Sequence, residues 1–169
     1  MKALLKLADA ISATNRAIAR TTAWASLAMV LLTFAVVVAR YGFDSGSIAL
    51  QEAVLYLHAV LFMTAAAGAL LTGDHVRVDI FHSRFGPRTK AAVECLGALL
   101  LLLPFALFIG WASLDYVSNA WARSESSGEP GGLPWLWALK TLLLTLSAQL
   151  ASQALADAIR NGHLAWGPR

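Results

Sequence analysis

The sequence predicts an all-α integral membrane protein: four transmembrane helices, both termini cytoplasmic, and an N-terminal amphipathic helix at the membrane interface. Three observations predict it. Of 169 residues, 58% are hydrophobic and only 14% charged, where a soluble domain carries about 25% charged residues to cover its surface. The few charges are bunched, leaving four long uncharged blocks. The basic residues between those blocks also alternate in density along the chain. Residues 1–169 read as a single membrane domain. A net charge of +3 is too small to suggest a nucleic-acid partner. The single cysteine, Cys95, excludes a disulfide framework and a CxxC redox pair within the chain.

Taken in order, residues 1–20 place Leu4, Leu7, Ala8, Ile11 and Ile18 at helical spacing, with Lys2, Lys6, Asp9, Ala13, Arg16 and Arg20 largely opposite. Such a basic amphipathic helix suits an anionic inner leaflet and makes membrane lipids a partner. It serves equally as a solvated basic start that sets topology. The first span, 21–39, is an uncharged block of 19 residues. That exceeds the roughly 7–15-residue apolar core of a signal peptide, so an uncleaved anchor is expected. The second span, 53–73, and the third, 95–114, have 21 and 20 uncharged residues. Each of the three can cross a hydrocarbon core of ~30 Å at ~1.5 Å per residue. The fourth span, 136–156, takes in Lys140, one turn from its outer end, where an ammonium can snorkel outward. A soluble bundle would keep a polar stripe on every helix, and the first and third spans have no charged residue on any face.

Counted from the N-terminus, the segments between spans hold 4, 1, 4, 1 and 2 basic residues. By side this is 10 against 2, with Lys140 inside the fourth span. Basic loops stay cytoplasmic, which places both termini and residues 74–94 inside. Only an even number of spans returns both basic ends to one side. Trp24 and Trp111 then lie near opposite membrane boundaries, and Trp135 with Trp137 at the outer start of the fourth span suits an aromatic belt.

Candidate chemistry within the spans is sparse. His58 is the one histidine well inside a block, and a packing or interfacial hydrogen-bonding role is expected for it. A haem held by two histidines would need a facing partner, yet His75, His82 and His163 fall in cytoplasmic segments or at the inner boundary. A drug/proton exporter would want a mid-span carboxylate, and no span contains one. A small membrane redox protein and a self-assembling small exporter are the rival classes, and both lack these residues. Thr141, Thr145, Gln149, Ser152 and Gln153 recur along one face of the fourth span. Lipid offers these groups no partners, so that face should meet protein or a wet cavity. In the second span, Ala65-Ala66-Ala67-Gly68-Ala69 permits close helix approach. In the loops, 74–81 interleaves charged and apolar residues. The run Glu129-Pro130-Gly131-Gly132-Leu133-Pro134 makes a rigid turn before the fourth span.

These loops carry a resemblance. Arg40-Tyr41, Gln51-Glu52, Tyr56-Leu57-His58, Leu61-Phe62-Met63, His75-Val76-Arg77-Val78-Asp79-Ile80-Phe81, Leu103-Pro104-Phe105, the Pro-Gly-Gly-Leu-Pro turn and Leu139-Lys140-Thr141 follow one another in order over about residues 40 to 160. The chain resembles the small, DctQ-like membrane subunit of tripartite ATP-independent periplasmic (TRAP) transporters, closest to the branch labelled for mannitol, chloroaromatic compounds and keto acids. The resemblance implies a non-enzymatic scaffold beside a large membrane subunit, which holds the substrate and sodium sites and moves as an elevator. A periplasmic binding protein would deliver the solute, usually a carboxylate. No cofactor is implied in this chain; the sodium gradient is used by the large subunit. Arg77 and Asp79 are expected to hold the cytoplasmic loop, and Glu52 to pair with Arg40 or to rest at a helix N-terminus without a partner. Many members carry Trp in the outer turn before the Gln-Glu or Glu-Glu pair, where this chain has Ile48 and Ala49.

Overall fold

The computed structural model describes residues 2–72 and 85–167. Helix α1 (Lys2–Thr22) leads into α2 (Trp24–Gly42), α3 (Ile48–Thr72), α4 (Pro87–Gly97), a π-helical turn (Ala98–Leu102), α5 (Leu103–Ala122) and α6 (Leu136–Trp166). Only Ala23 separates α1 from α2, and α4 continues through the π turn into α5. Four helical stretches are therefore long and apolar enough to cross a membrane: Lys2–Gly42, Ile48–Thr72, Pro87–Ala122 and Leu136–Trp166. No strand occurs among the described residues. The helices overrun the uncharged blocks at their ends. At 31 residues, α6 is about 46 Å long, well beyond a hydrocarbon core.

Helix α6 is the hub. It packs against α1, α3, α4, α5 and the π turn, whereas α2 packs mainly on α3 and, less, on its neighbour α1. Burial follows the same division: α2 has no buried residue, while α6 buries Ser147, Gln149, Leu150, Gln153 and four alanines. The interior is made of small residues, with Ala67, Ala106, Ala154 and Ala156 fully buried, while Phe34, Leu101 and Trp111 are about 70% exposed. Lipid tails remove the incentive to bury large apolar side chains. Helices then associate through close backbone approach and polar contacts instead. Two glycines are needed for that approach. A Cβ on Gly68 would lie 2.5 Å from the Ala19 methyl, and one on Gly110 would collide with the Ser147 hydroxyl.

The π turn has a local cause. Pro104 has no N–H to continue the ladder and its ring crowds the carbonyl one turn back. Just before it, the Leu103 N–H reaches Ala98 O, five residues away. The wider turn carries the chain past the proline without breaking the span.

Candidate functional site

The end of the bundle where α3 begins is closed by a clasp centred on Glu52, in the second turn of α3. The Leu133 N–H donates to Glu52 Oε2 at 2.6 Å, and the Ser127 hydroxyl donates to Glu52 Oε1. Ser127 Oγ accepts the Glu129 N–H at 3.1 Å, and the Ser127 N–H donates to Leu133 O at 2.9 Å. Gly131 sits at φ 80°, a conformation that favours glycine, and is the third residue of the turn in which the Gly132 N–H donates to Glu129 O. A Cβ on Gly132 would press on Ser127 and come 2.8 Å from Glu52 Oε1. Both glycines thus have distinct reasons, and Pro134 ends the turn just ahead of α6. Glu52 is held by the loop between α5 and α6 rather than by Arg40.

Beside this clasp lies a second one. Lys140 Nζ donates to Glu125 Oε2 at 2.6 Å and sits 4.0 Å above the Tyr116 ring. Trp121 Nε1 donates to Thr141 Oγ1 at 2.8 Å, and the Trp121 and Trp137 rings meet edge to face with centroids 4.3 Å apart. The aromatic pair predicted for a belt is therefore divided: Trp135 is 55% exposed, while Trp137 packs against α5. Lys140 thus has its charge met by the Glu125 carboxylate and the Tyr116 ring.

The opposite half of the bundle contains a buried polar column between α1 and α6. Gln153, the largest fully buried side chain among the described residues, accepts from Asn15 Nδ2 at 3.1 Å and donates to Asp157 Oδ1 at 2.9 Å. Its amide also meets the Ser12 hydroxyl at 3.3 Å. About two turns further along α6, Arg160 donates to Ala8 O and to Asp9 Oδ1, both at 3.0 Å. Because Ala8 faces Arg160 and Asn15 faces Gln149 and Gln153, α1 runs antiparallel to the C-terminal half of α6. Ser147, higher on α6, donates to Ala106 O of α5 at 2.7 Å.

The remaining predicted residues separate. Thr145 donates back to Thr141 O within α6. Gln149 is buried, yet neither atom of its side-chain amide has a hydrogen-bond partner. His58 is exposed on α3 and stacks on Phe62 with centroids 6.3 Å apart. It lies between two shallow apolar grooves, one towards α2 and one lined by Phe62, Ala65, Ala66 and Ala69. His75, Arg77 and Asp79 lie outside the described residues. Sequence reasoning missed Ser12, Asn15, Ser127 and Ser147. Ser12 and Asn15 did leave a signal, since their spacing with Ala8 and Ala19 traces a stripe of small and polar residues along one face of α1.

Chemically, this arrangement holds helices together. The carboxylates of Glu52, Glu125 and Asp9 are each taken up by a loop or a neighbouring helix. Among the described residues no three His, Cys, Asp or Glu side chains gather as a metal site would need. Residues 29–162 match the family profile described as tripartite ATP-independent periplasmic transporters, DctQ component. A Haemophilus influenzae protein provisionally named a TRAP transporter small permease protein is 29% identical over 107 residues, covering 63% of this chain and 66% of that relative. The chain thus spans just under two thirds of that relative's length. No solved structure shows a significant match. With a profile match across most of its length and four helices able to cross a membrane, the chain belongs to the DctQ family of TRAP transporter small permease subunits, a multi-pass transporter component and not an enzyme.

Proposed function

We propose that this subunit is a static scaffold in the bacterial inner membrane, with both termini cytoplasmic, that supports a large membrane subunit during sodium-coupled uptake of a carboxylate-type solute. A periplasmic binding protein delivers the solute, and the large subunit uses the sodium gradient. The observation that carries the scaffold role is where the polar groups go. Glu52, Lys140, Ser147 and Gln153 tie α1, α3, α5, α6 and the outer loop to one another. Such ties resist relative motion of the helices, as a fixed support requires. The exposed apolar faces of α2 and α5 meanwhile remain for lipid or a neighbouring subunit. Co-expression with the proteins encoded beside it, followed by gentle solubilisation, should yield a complex with a large multi-span protein. Recovery of this chain alone, stable and competent for transport after reconstitution, would overturn the reading.

A further inference from the structure

Helix α1 presents three distinct flanks. Ala8, Ser12 and Asn15 are buried against the bundle, and Ala19 packs on Gly68 of α3. About a quarter turn to one side lies an apolar flank, where Leu4 and Leu7 are roughly half exposed and Ile11 and Ile18 continue the row. About a quarter turn to the other side lie Lys2, Lys6, Arg16 and Arg20, all exposed. The face that docks on protein is therefore neither of the two halves of the amphipathic pattern but the seam between them. Docking by this seam leaves both the apolar and the basic flank of α1 clear of the bundle.

Depth places α1 at such a boundary. Gly68 lies sixteen residues along α3 from Glu52, about 24 Å of helix. Ala19, seated on Gly68, is thus close to the inner limit of a hydrocarbon core of ~30 Å whose outer limit is near the Glu52 clasp. Trp24, 71% exposed, follows one turn later. Arg16 and Arg20 flank that level, and Lys2 and Lys6 extend inward. Asp9 is the one acid among them and is taken by Arg160. None of Lys2, Lys6, Arg16 and Arg20 has an ion-pair partner among the described residues.

We propose that the Lys6, Arg16 and Arg20 ridge binds anionic phospholipid headgroups of the inner leaflet, with the roll of α1 held by the Asn15–Gln153 and Arg160–Asp9 contacts. The inference rests on the cytoplasmic placement of the N-terminus proposed above. Each basic side chain near an anionic surface supplies about a fivefold preference, and the clamp keeps all three turned to the same side.

The test uses the full-length chain in mild detergent with equimolar phosphatidylglycerol and phosphatidylcholine, and the lipid retained after size-exclusion is quantified. The wild-type chain should retain phosphatidylglycerol preferentially, and less so as salt rises. A Lys6→Gln/Arg16→Gln/Arg20→Gln variant should lose that preference, its exchange constant falling on the order of a hundredfold. Arg123→Gln on the outer side should change nothing. Asn15→Leu removes no charge but frees the roll, and should weaken the preference with the circular dichroism of the bundle retained. Equal retention of both lipids by the wild-type chain, or an unchanged preference in the triple variant, overturns the headgroup site. An unchanged preference in Asn15→Leu overturns the clamp. Loss of the large subunit from the purified complex with phosphatidylglycerol selectivity intact counts against the scaffold reading alone.

Discussion

Two glutamines one turn apart on α6 show how differently the same side chain can be used inside a bundle. Gln153 is fully buried and joined to Ser12, Asn15 and Asp157, whereas the buried amide of Gln149 has no partner. Removing one partner of a buried hydrogen bond strands the other, while removing an unpartnered polar group strands nothing. Gln153→Leu should therefore destabilise the chain by about 1–2 kcal/mol, seen as a lower thermal unfolding midpoint in detergent. Gln149→Leu should leave the midpoint unchanged or raise it. A larger loss in Gln149→Leu than in Gln153→Leu would show that the column is not what joins α1 to α6. The polar face of α6 was legible as a pattern in the sequence. Which of its members mattered was not, because Ser12 and Asn15 lie more than 130 residues away and pattern within one helix says nothing of its partner.

At the scale of elements, the alanine and glycine run in α3 was readable as a close-approach surface, but its partner was not. The structure pairs Gly68 with Ala19 of α1, an element that its own pattern marked as lying on lipid or in water. Gly68→Val would place a branched side chain where even a methyl meets Ala19 at 2.5 Å. Overpacking of this kind costs about 1–3 kcal/mol. Proteolysis should then cut within α1 at protease concentrations that leave the wild-type chain intact, while α3 to α6 remain protected. Equal protection of α1 in both chains would count against this contact as its anchor. The loop between α5 and α6 tells a similar story. Its glycines and prolines announced a rigid turn, yet the acid that holds it comes from α3, some 80 residues earlier.

For the whole molecule, the 10-to-2 division of basic residues predicts that the loop before α6 faces away from the cytoplasm. Ser126, exposed in the outer loop, offers a direct check because Cys95, the native thiol, is buried. In intact spheroplasts, Ser126→Cys should react with a membrane-impermeant maleimide, and the wild-type chain should not. Labelling of Ser126→Cys only after lysis would invert the topology.

Charge scarcity and the length of the uncharged blocks were sufficient to determine that this chain spans a membrane four times, because crossing hydrocarbon is a property of each segment by itself. The loop motifs were sufficient to point to its family. What only the tertiary structure decided is how the spans are joined: α6 as hub, Glu52 committed to the loop before α6 instead of Arg40, and α1 docked by the seam of its amphipathic pattern. These outcomes depend on hydrogen bonds and backbone contacts between residues far apart in the chain. In lipid, where apolar burial no longer ranks one face above another, such contacts select the arrangement.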